Sequence, residues 1–140
     1  MNFFFLTKEF YDDYRSCPEI EQKIDRPYIM VGVKVGRVRF AVPLRSHIKH
    51  KYVLWTDEEN RCGLDFSKAI VLTKPKYIDR SRKPYIRPNE FNSLRGKERI
   101  IEMKMEQYIA AYKKAKQRID VPRNQIICRY STLQYFDHYI

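Results

Sequence analysis

The sequence predicts an α+β fold: an antiparallel sheet laid down by the first half of the chain, then a long helix. Three observations predict it. Residues 28–44 alternate apolar and other side chains on both sides of Gly36-Arg37, as a β-hairpin does. Residues 98–119 place Ile101, Met105, Tyr108, Ile109, Tyr112 and Ile119 at helical spacing. The strands come first and are joined by hairpin-like connections, which separates this pattern from a parallel α/β sheet.

Each element follows from its residues. Phe3 to Leu6 reads as a short strand. Thr7 can cap a helix from Lys8, with Phe10, Tyr11 and Tyr14 on one face, ended by Cys17-Pro18. Residues 18–26 are a polar connection. In the hairpin, Gly first in a two-residue turn pairs Val35 with Val38, Val33 with Phe40, Val31 with Val42 and Ile29 with Leu44, four apolar pairs on one face. The opposite face carries Lys34 across from Arg39, Gly32 from Ala41, Met30 from Pro43 and Tyr28 from Arg45. A slip of one residue would move Lys34 and Arg39 into the apolar set, so the register is specified. Tyr52 to Trp55 is the next expected strand, followed by a polar turn at Asp57-Glu58-Glu59-Asn60, a second tight turn at Gly63 and a short strand over Ala69 to Leu72. Residues 74–99 hold Pro75, Pro84 and Pro88 and read as a long excursion without regular structure. The helix over 98–119 is stopped by Val121-Pro122. Ile126, Ile127 and Cys128 read as a last strand, and Ser131 as the cap of a short terminal helix bearing Leu133 and Phe136.

The chain has 140 residues, with 28 Lys plus Arg against 17 Asp plus Glu, a net charge of +11. That length suits one domain spanning 1–140, and 44% hydrophobic residues supply a core. The charge points to a polyanionic partner, with nucleic acid ahead of an anionic membrane surface. No apolar run approaches the roughly 18–20 residues of a membrane span, and Phe3 to Leu6 is too short for a signal-peptide core, so a cytoplasmic protein is expected. Cys17, Cys62 and Cys128 are odd in number and widely spaced, which fits reduced thiols rather than a disulfide framework or a zinc site.

The densest polar cluster is Arg45-Ser46-His47-Ile48-Lys49-His50-Lys51, just past the second hairpin strand, with Tyr28 brought beside Arg45 by the register. RNA carries its own nucleophile, the 2′-hydroxyl. Its cleavage needs a base, an acid for the leaving 5′-oxygen and cations around the phosphate. His47 or His50 can move protons, Arg45 and Lys49 can hold phosphoryl oxygens, Ser46 can donate to one, and Tyr28 can stack on a base or supply a proton. Lys34 lies six residues along the strand from Tyr28, roughly 20 Å away, and cannot share their phosphate. No acid or Cys lies within the cluster, so no metal and no cofactor is expected there. Gly32 and Gly36 precede no helix and form no dinucleotide loop, and there is no P-loop.

One family shares this order of features. The residues are Asp25-Arg26-Pro27-Tyr28, a hydrophobic strand with Gly32, Phe40-Ala41-Val42-Pro43-Leu44-Arg45-Ser46-His47-Ile48-Lys49-His50, then Gly63-Leu64-Asp65-Phe66, Glu106-Gln107-Tyr108-Ile109 within the long helix, and Cys128-Arg129-Tyr130-Ser131-Thr132-Leu133. The chain resembles the endoribonuclease toxins of type III toxin–antitoxin systems, the ToxN/AbiQ group, and most closely its TenpN branch. The resemblance implies a compact, strongly bent antiparallel barrel of the MazF/Kid type with added helices. It also implies a metal-independent RNase that leaves a cyclic phosphate. Its expected partner is a repeated antitoxin RNA that folds into pseudoknots, is processed by the toxin and inhibits it in a closed protein–RNA assembly; phage defence is the implied setting. The family's active-site Ser corresponds to Ser46. Arg45 stands where better-known members carry Thr, Ile48 where a Lys commonly follows (the nearest is Lys49), and Tyr28 where a Lys often follows the proline.

Residues 74–99 hold nine Lys or Arg against three acids, the most basic stretch in the chain. With the resemblance in view, RNA phosphates are expected on Lys74, Lys76, Arg80, Arg82, Lys83 and Arg87, on Lys34, Arg39 and Lys51 around the hairpin, and on Lys113 and Lys116 of the helix. Two other classes stay open on sequence alone: a basic RNA- or DNA-binding module without chemistry, and an interaction protein for an acidic partner.

Overall fold

The computed structural model describes residues 1–22 and 26–140; Asp25 of the resemblance motif lies outside the described residues. Strand β1 (Phe3–Leu6) leads into helix α1 (Lys8–Asp13), whose first turn is capped by the Thr7 hydroxyl accepting from the Phe10 amide. The helix ends at Asp13, before Cys17-Pro18. Strands β2 (Met30–Val35) and β3 (Val38–Arg45) pair in the register that the alternation requires, Lys34 opposite Arg39 and Met30 opposite Pro43. Gly36 takes the left-handed conformation, φ 59°, that the hairpin turn needs. Met30, Ala41 and Pro43 are buried too, so the far end of the hairpin is covered on both faces.

Strand β4 (Val53–Asp57) pairs with β5 (Cys62–Asp65) across the polar turn. Gly63 is therefore a strand residue, not a turn. A Cβ there would run into the backbone carbonyl of Leu54, so this glycine answers a close approach of two backbones. Strand β6 (Ile70–Val71) adds to the start of β3, and β7 (Ile78–Asp79) to β1. The sheet is antiparallel, seven-stranded and not closed, in the order β4-β5-β3-β2-β1-β7 with β6 also on β3.

The excursion over 74–99 is more regular than its prolines suggest. It holds a 3-10 turn (Pro75–Tyr77), β7, and helix α2 (Pro88–Leu94), which starts on Pro88 as a first-turn proline can. Helix α3 (Glu98–Gln117) buries Ile101, Met105, Tyr108 and Tyr112; Ile119 lies beyond its end and is half exposed. The expected last strand is instead helix α4 (Pro122–Tyr130), with Pro122 in its first turn and no fully buried residue. Pro122 thus starts a helix as well as following one. Ser131 caps a 3-10 turn (Thr132–Tyr135) through the Leu133 amide, placing Leu133 and Phe136 in the core. One buried cluster runs through β1–β3, α1 and α3, and no helix among the described residues is long and apolar enough to cross a membrane.

Candidate active site

Three strand ends meet at one corner of the sheet. Arg45 closes β3 and pairs in register with Gly63 of β5, while Asp65 closes β5 opposite Val53 of β4. The Leu44 amide donates to the Ile29 carbonyl at 2.9 Å, extending the hairpin ladder toward Tyr28. Tyr28, Arg45 and Ser46 consequently line one groove of about 280 Å³, together with Tyr85, Arg87 and Glu90. The volume is close to that of a small-ligand site.

Asp65 organises this corner. It is 0% exposed. Its Oδ2 accepts from Arg45 Nη1 at 2.6 Å, and its Oδ1 accepts from the Ser67 hydroxyl at 2.6 Å and the Ser67 amide at 3.0 Å. His50 Nε2 lies 3.0 Å from the same Oδ1. Burial pushes the Asp65 carboxyl up, but hydrogen bonds from His50, Ser67 and Arg45 outweigh it and hold the group below the usual carboxylate range. For Arg45, burial disfavours the charge, and the bonds to Asp65 and Tyr28 more than offset it. The guanidinium is thus fixed and permanently charged. Its other arm, Nη2, donates to Glu21 Oε1 at 3.1 Å, and the Tyr28 hydroxyl donates to Glu21 Oε2 at 2.7 Å. The guanidinium carbon sits 5.6 Å from the centre of the Tyr28 ring.

The two expected proton carriers are placed otherwise. His50 Nδ1 accepts from the Tyr52 amide at 3.0 Å, which leaves the proton on Nε2, facing Asp65. Ser67 Oγ lies 3.1 Å from the same Nε2. A serine-protease-like relay would need serine and carboxylate on opposite ring nitrogens, so His50 is a donor that steadies Asp65. His47 is exposed on a left-handed backbone, φ 57°, and does not line the groove. Lys49 is exposed as well. The loop between them is pinned by Ile48, which is buried and exchanges backbone and side-chain bonds with Arg61. Ser46 is exposed in the groove, and no described residue bonds its hydroxyl.

The chain matches no protein-family model, no curated protein and no solved structure.

Four groups at the site are not among the residues expected there from sequence. Asp65 stands in the Gly63-Leu64-Asp65-Phe66 segment of the resemblance with no role attached, and Ser67 is a lone polar residue until β5 is paired. Glu21 lies in the polar connection before the hairpin. Glu90 is buried in α2, its Oε2 accepting from the Thr56 hydroxyl at 2.6 Å and its Oε1 ion-paired with Arg87 at 2.8 Å. Tyr85, 78% exposed, could have been flagged as an aromatic amid Arg82, Lys83 and Arg87. Among the described residues, no three His, Cys, Asp or Glu side chains converge to hold a metal ion.

The expected RNA-binding cations divide into two groups. Lys76 pairs with Glu9, Arg82 with Asp79, Arg87 with Glu90 and Lys116 with Asp137, while Lys74 is 3.9 Å from Asp13. Lys34, Arg39, Lys51, Arg80, Lys83 and Lys113 are exposed with no carboxylate partner among the described residues. Lys34 and Arg39 line a separate groove beside Phe4 and Leu72, and Lys51 lies over the Tyr52 ring.

Proposed function

We propose that this protein is a metal-independent endoribonuclease, the toxin of a type III toxin–antitoxin system held in check by a repeated antitoxin RNA. The observation that carries the reading is the shared groove of Tyr28, Arg45 and Ser46, with the guanidinium locked by a buried carboxylate. A fixed guanidinium costs no reorganisation when charge develops on a phosphoryl oxygen. Ser46 supplies a free hydroxyl to a second oxygen, and Tyr28 a phenol beside both. Tyr85 offers an exposed ring in the same groove for a base next to the scissile phosphate. The cations at Lys34, Arg39, Arg80, Lys83 and Lys113, without carboxylate partners among the described residues, give a polyanion its attraction. The finer architecture, a strongly bent barrel of MazF/Kid type, belongs to the same proposal. It is supported by β3, which carries β6 at its start and β5 at its end on one edge. A cytoplasmic location and a role in phage defence complete the reading.

The test is incubation of purified protein with a random-sequence RNA pool in EDTA. The expected products end in a cyclic phosphate at a restricted set of sequences; Arg45→Ala abolishes them, and Ser46→Ala abolishes them while RNA affinity stays. Intact RNA, or cleavage that survives Arg45→Ala, refutes the assignment. Sequencing of co-purifying RNA tests the partner, for which a discrete repeat is expected. One observation favours a second reading, a nucleic-acid-binding module without chemistry: neither expected histidine stands free in the groove. Affinity for RNA without cleavage in the same assay would select it.

A further inference from the structure

If the nuclease reading holds, the groove lacks a base. His50 has both ring nitrogens engaged, and His47 does not line the groove. Glu90 is buried, with one carboxylate oxygen bonded by Thr56 and the other by Arg87. Glu21 is bonded at both oxygens too, and differs in its exposure and in what bonds it. Its side chain is 39% exposed, and its two oxygens lie against Arg45 and Tyr28, the groups that would flank a phosphate.

We infer that Glu21 is the catalytic base of this site, a carboxylate that takes the proton from the 2′-hydroxyl of the nucleotide bound at Tyr28 and Arg45. This inference rests on the nuclease reading of the groove. The freed 2′-oxygen forms a bond to phosphorus as the bond from phosphorus to the 5′-oxygen breaks, giving a 2′,3′-cyclic phosphate. The leaving oxygen takes the Tyr28 phenolic proton. Glu21 then returns its proton to the Tyr28 oxygen along the 2.7 Å hydrogen bond that already joins them, so the pair is reset with no net gain or loss. Arg45 serves both states. It faces the Glu21 carboxylate in the free protein and the phosphoryl oxygens once RNA displaces that contact. Glu21 reaches the groove through these two residues and itself borders a neighbouring, mostly apolar cavity that Tyr28 and Arg45 share, where the other titratable groups are Tyr11 and the ion pair of Glu19 with Lys68.

The experiment compares wild type, Glu21→Gln and Glu21→Asp in cleavage of the random pool. It also measures binding to a cleavage-resistant oligonucleotide, 2′-deoxy at the mapped site. Glu21→Gln is expected to lower kcat at least about 100-fold. It should bind the resistant RNA as tightly as wild type or more tightly, since a negative charge leaves the phosphate seat. The rise of kcat with pH on the acid side should vanish in Glu21→Gln, with Tyr11, Glu19 and Lys68 unchanged. Glu21→Asp, shorter by one methylene, should fall between. Cleavage by Glu21→Gln within tenfold of wild type overturns the inference and leaves the nuclease standing. Loss of binding together with cleavage also overturns it, because Glu21 would then only position Arg45 and Tyr28. A wild-type protein that cuts nothing removes the nuclease reading and this inference with it.

Discussion

Replacing Asp65 by Asn tests how the corner is held. The carboxylate has no exposure and accepts from Arg45, His50 and the Ser67 hydroxyl and amide. An amide offers one acceptor and one donor. Whichever way it turns, its NH2 faces a donor, either the Arg45 guanidinium or the Ser67–His50 pair. Removing one partner of a buried ion pair strands the other, at about 3–5 kcal/mol. Against a total near 5–15 kcal/mol, that loss lowers Tm by roughly 10–15 °C for a chain of this size. Chemical denaturation followed by circular dichroism gives the number. A second substitution separates stranded charge from general damage. Arg45→Met added to Asp65→Asn should recover part of the loss. The pH dependence has a definite sign. The folded carboxyl lies below its unfolded value near 3.9, so the unfolded chain binds more protons in the window below about pH 4. The stabilisation is complete above that window and fades as pH falls through the folded value, and the two proteins should converge in acid. A denaturation midpoint unchanged by Asp65→Asn, or no recovery in the double variant, would refute the argument.

Three further outcomes follow from other parts of the molecule. Gly63→Ala should cost about 1–3 kcal/mol by denaturant unfolding, because its Cβ meets the Leu54 carbonyl and lies 2.9 Å from Val53 Cγ2; full stability would mean β4 and β5 are not paired in this register. Burial raises the phenol of Tyr11 to about 12, and those of Tyr77, Tyr108 and Tyr112 as well. These groups favour the fold while protonated, so stability is full below pH 10 and lost above it, and part of the tyrosinate absorbance should appear only with unfolding. Tyr85→Ala should raise KM for RNA roughly 5- to 150-fold, the range of one lost base–aromatic stack, while Tyr85→Phe stays near wild type; equal KM values would remove the stacking role.

The hairpin was legible because two signals agree, a glycine that fits the turn and four apolar pairs that one slip would expose. It brought Tyr28 and Arg45 to one corner of the sheet. Helix α4 was misread because Ile126-Ile127-Cys128 is a short apolar run, and α4 buries no residue fully, so no helical stripe marks it. Gly63 was misread for a related reason. A glycine in sequence announces either a turn or a close approach, and only the pairing of β4 with β5 decides between them. The carboxylates of the site were hidden by distance along the chain. Asp65 is 20 residues from Arg45, and Glu21 is 24 residues away on the other side. Long-range pairing leaves no local period. The histidines were visible for the opposite reason, as rare titratable residues in a basic run, and the fold commits one of them to a structural bond.

Little of the chain's charge lies at its cleft, where both arginines are matched by carboxylates. Arg45 and Arg87 face Asp65, Glu21 and Glu90, two guanidiniums against three carboxylates, while the chain as a whole carries +11. The excess lies at Lys34, Arg37, Arg39, Arg80, Lys83, Lys113 and Lys114, which are exposed and lack carboxylate partners among the described residues. On the nuclease reading, a phosphate is not drawn into the cleft by its net charge. It is brought by the peripheral cations, whose contribution is screened by salt, and it enters only by displacing Glu21 from Arg45. Affinity and chemistry then sit on different residues. Salt should weaken RNA binding steeply while leaving kcat nearly unchanged. A carboxylate left beside the incoming phosphate, unfavourable for binding, is what a site needs when its substrate brings a hydroxyl that must lose a proton.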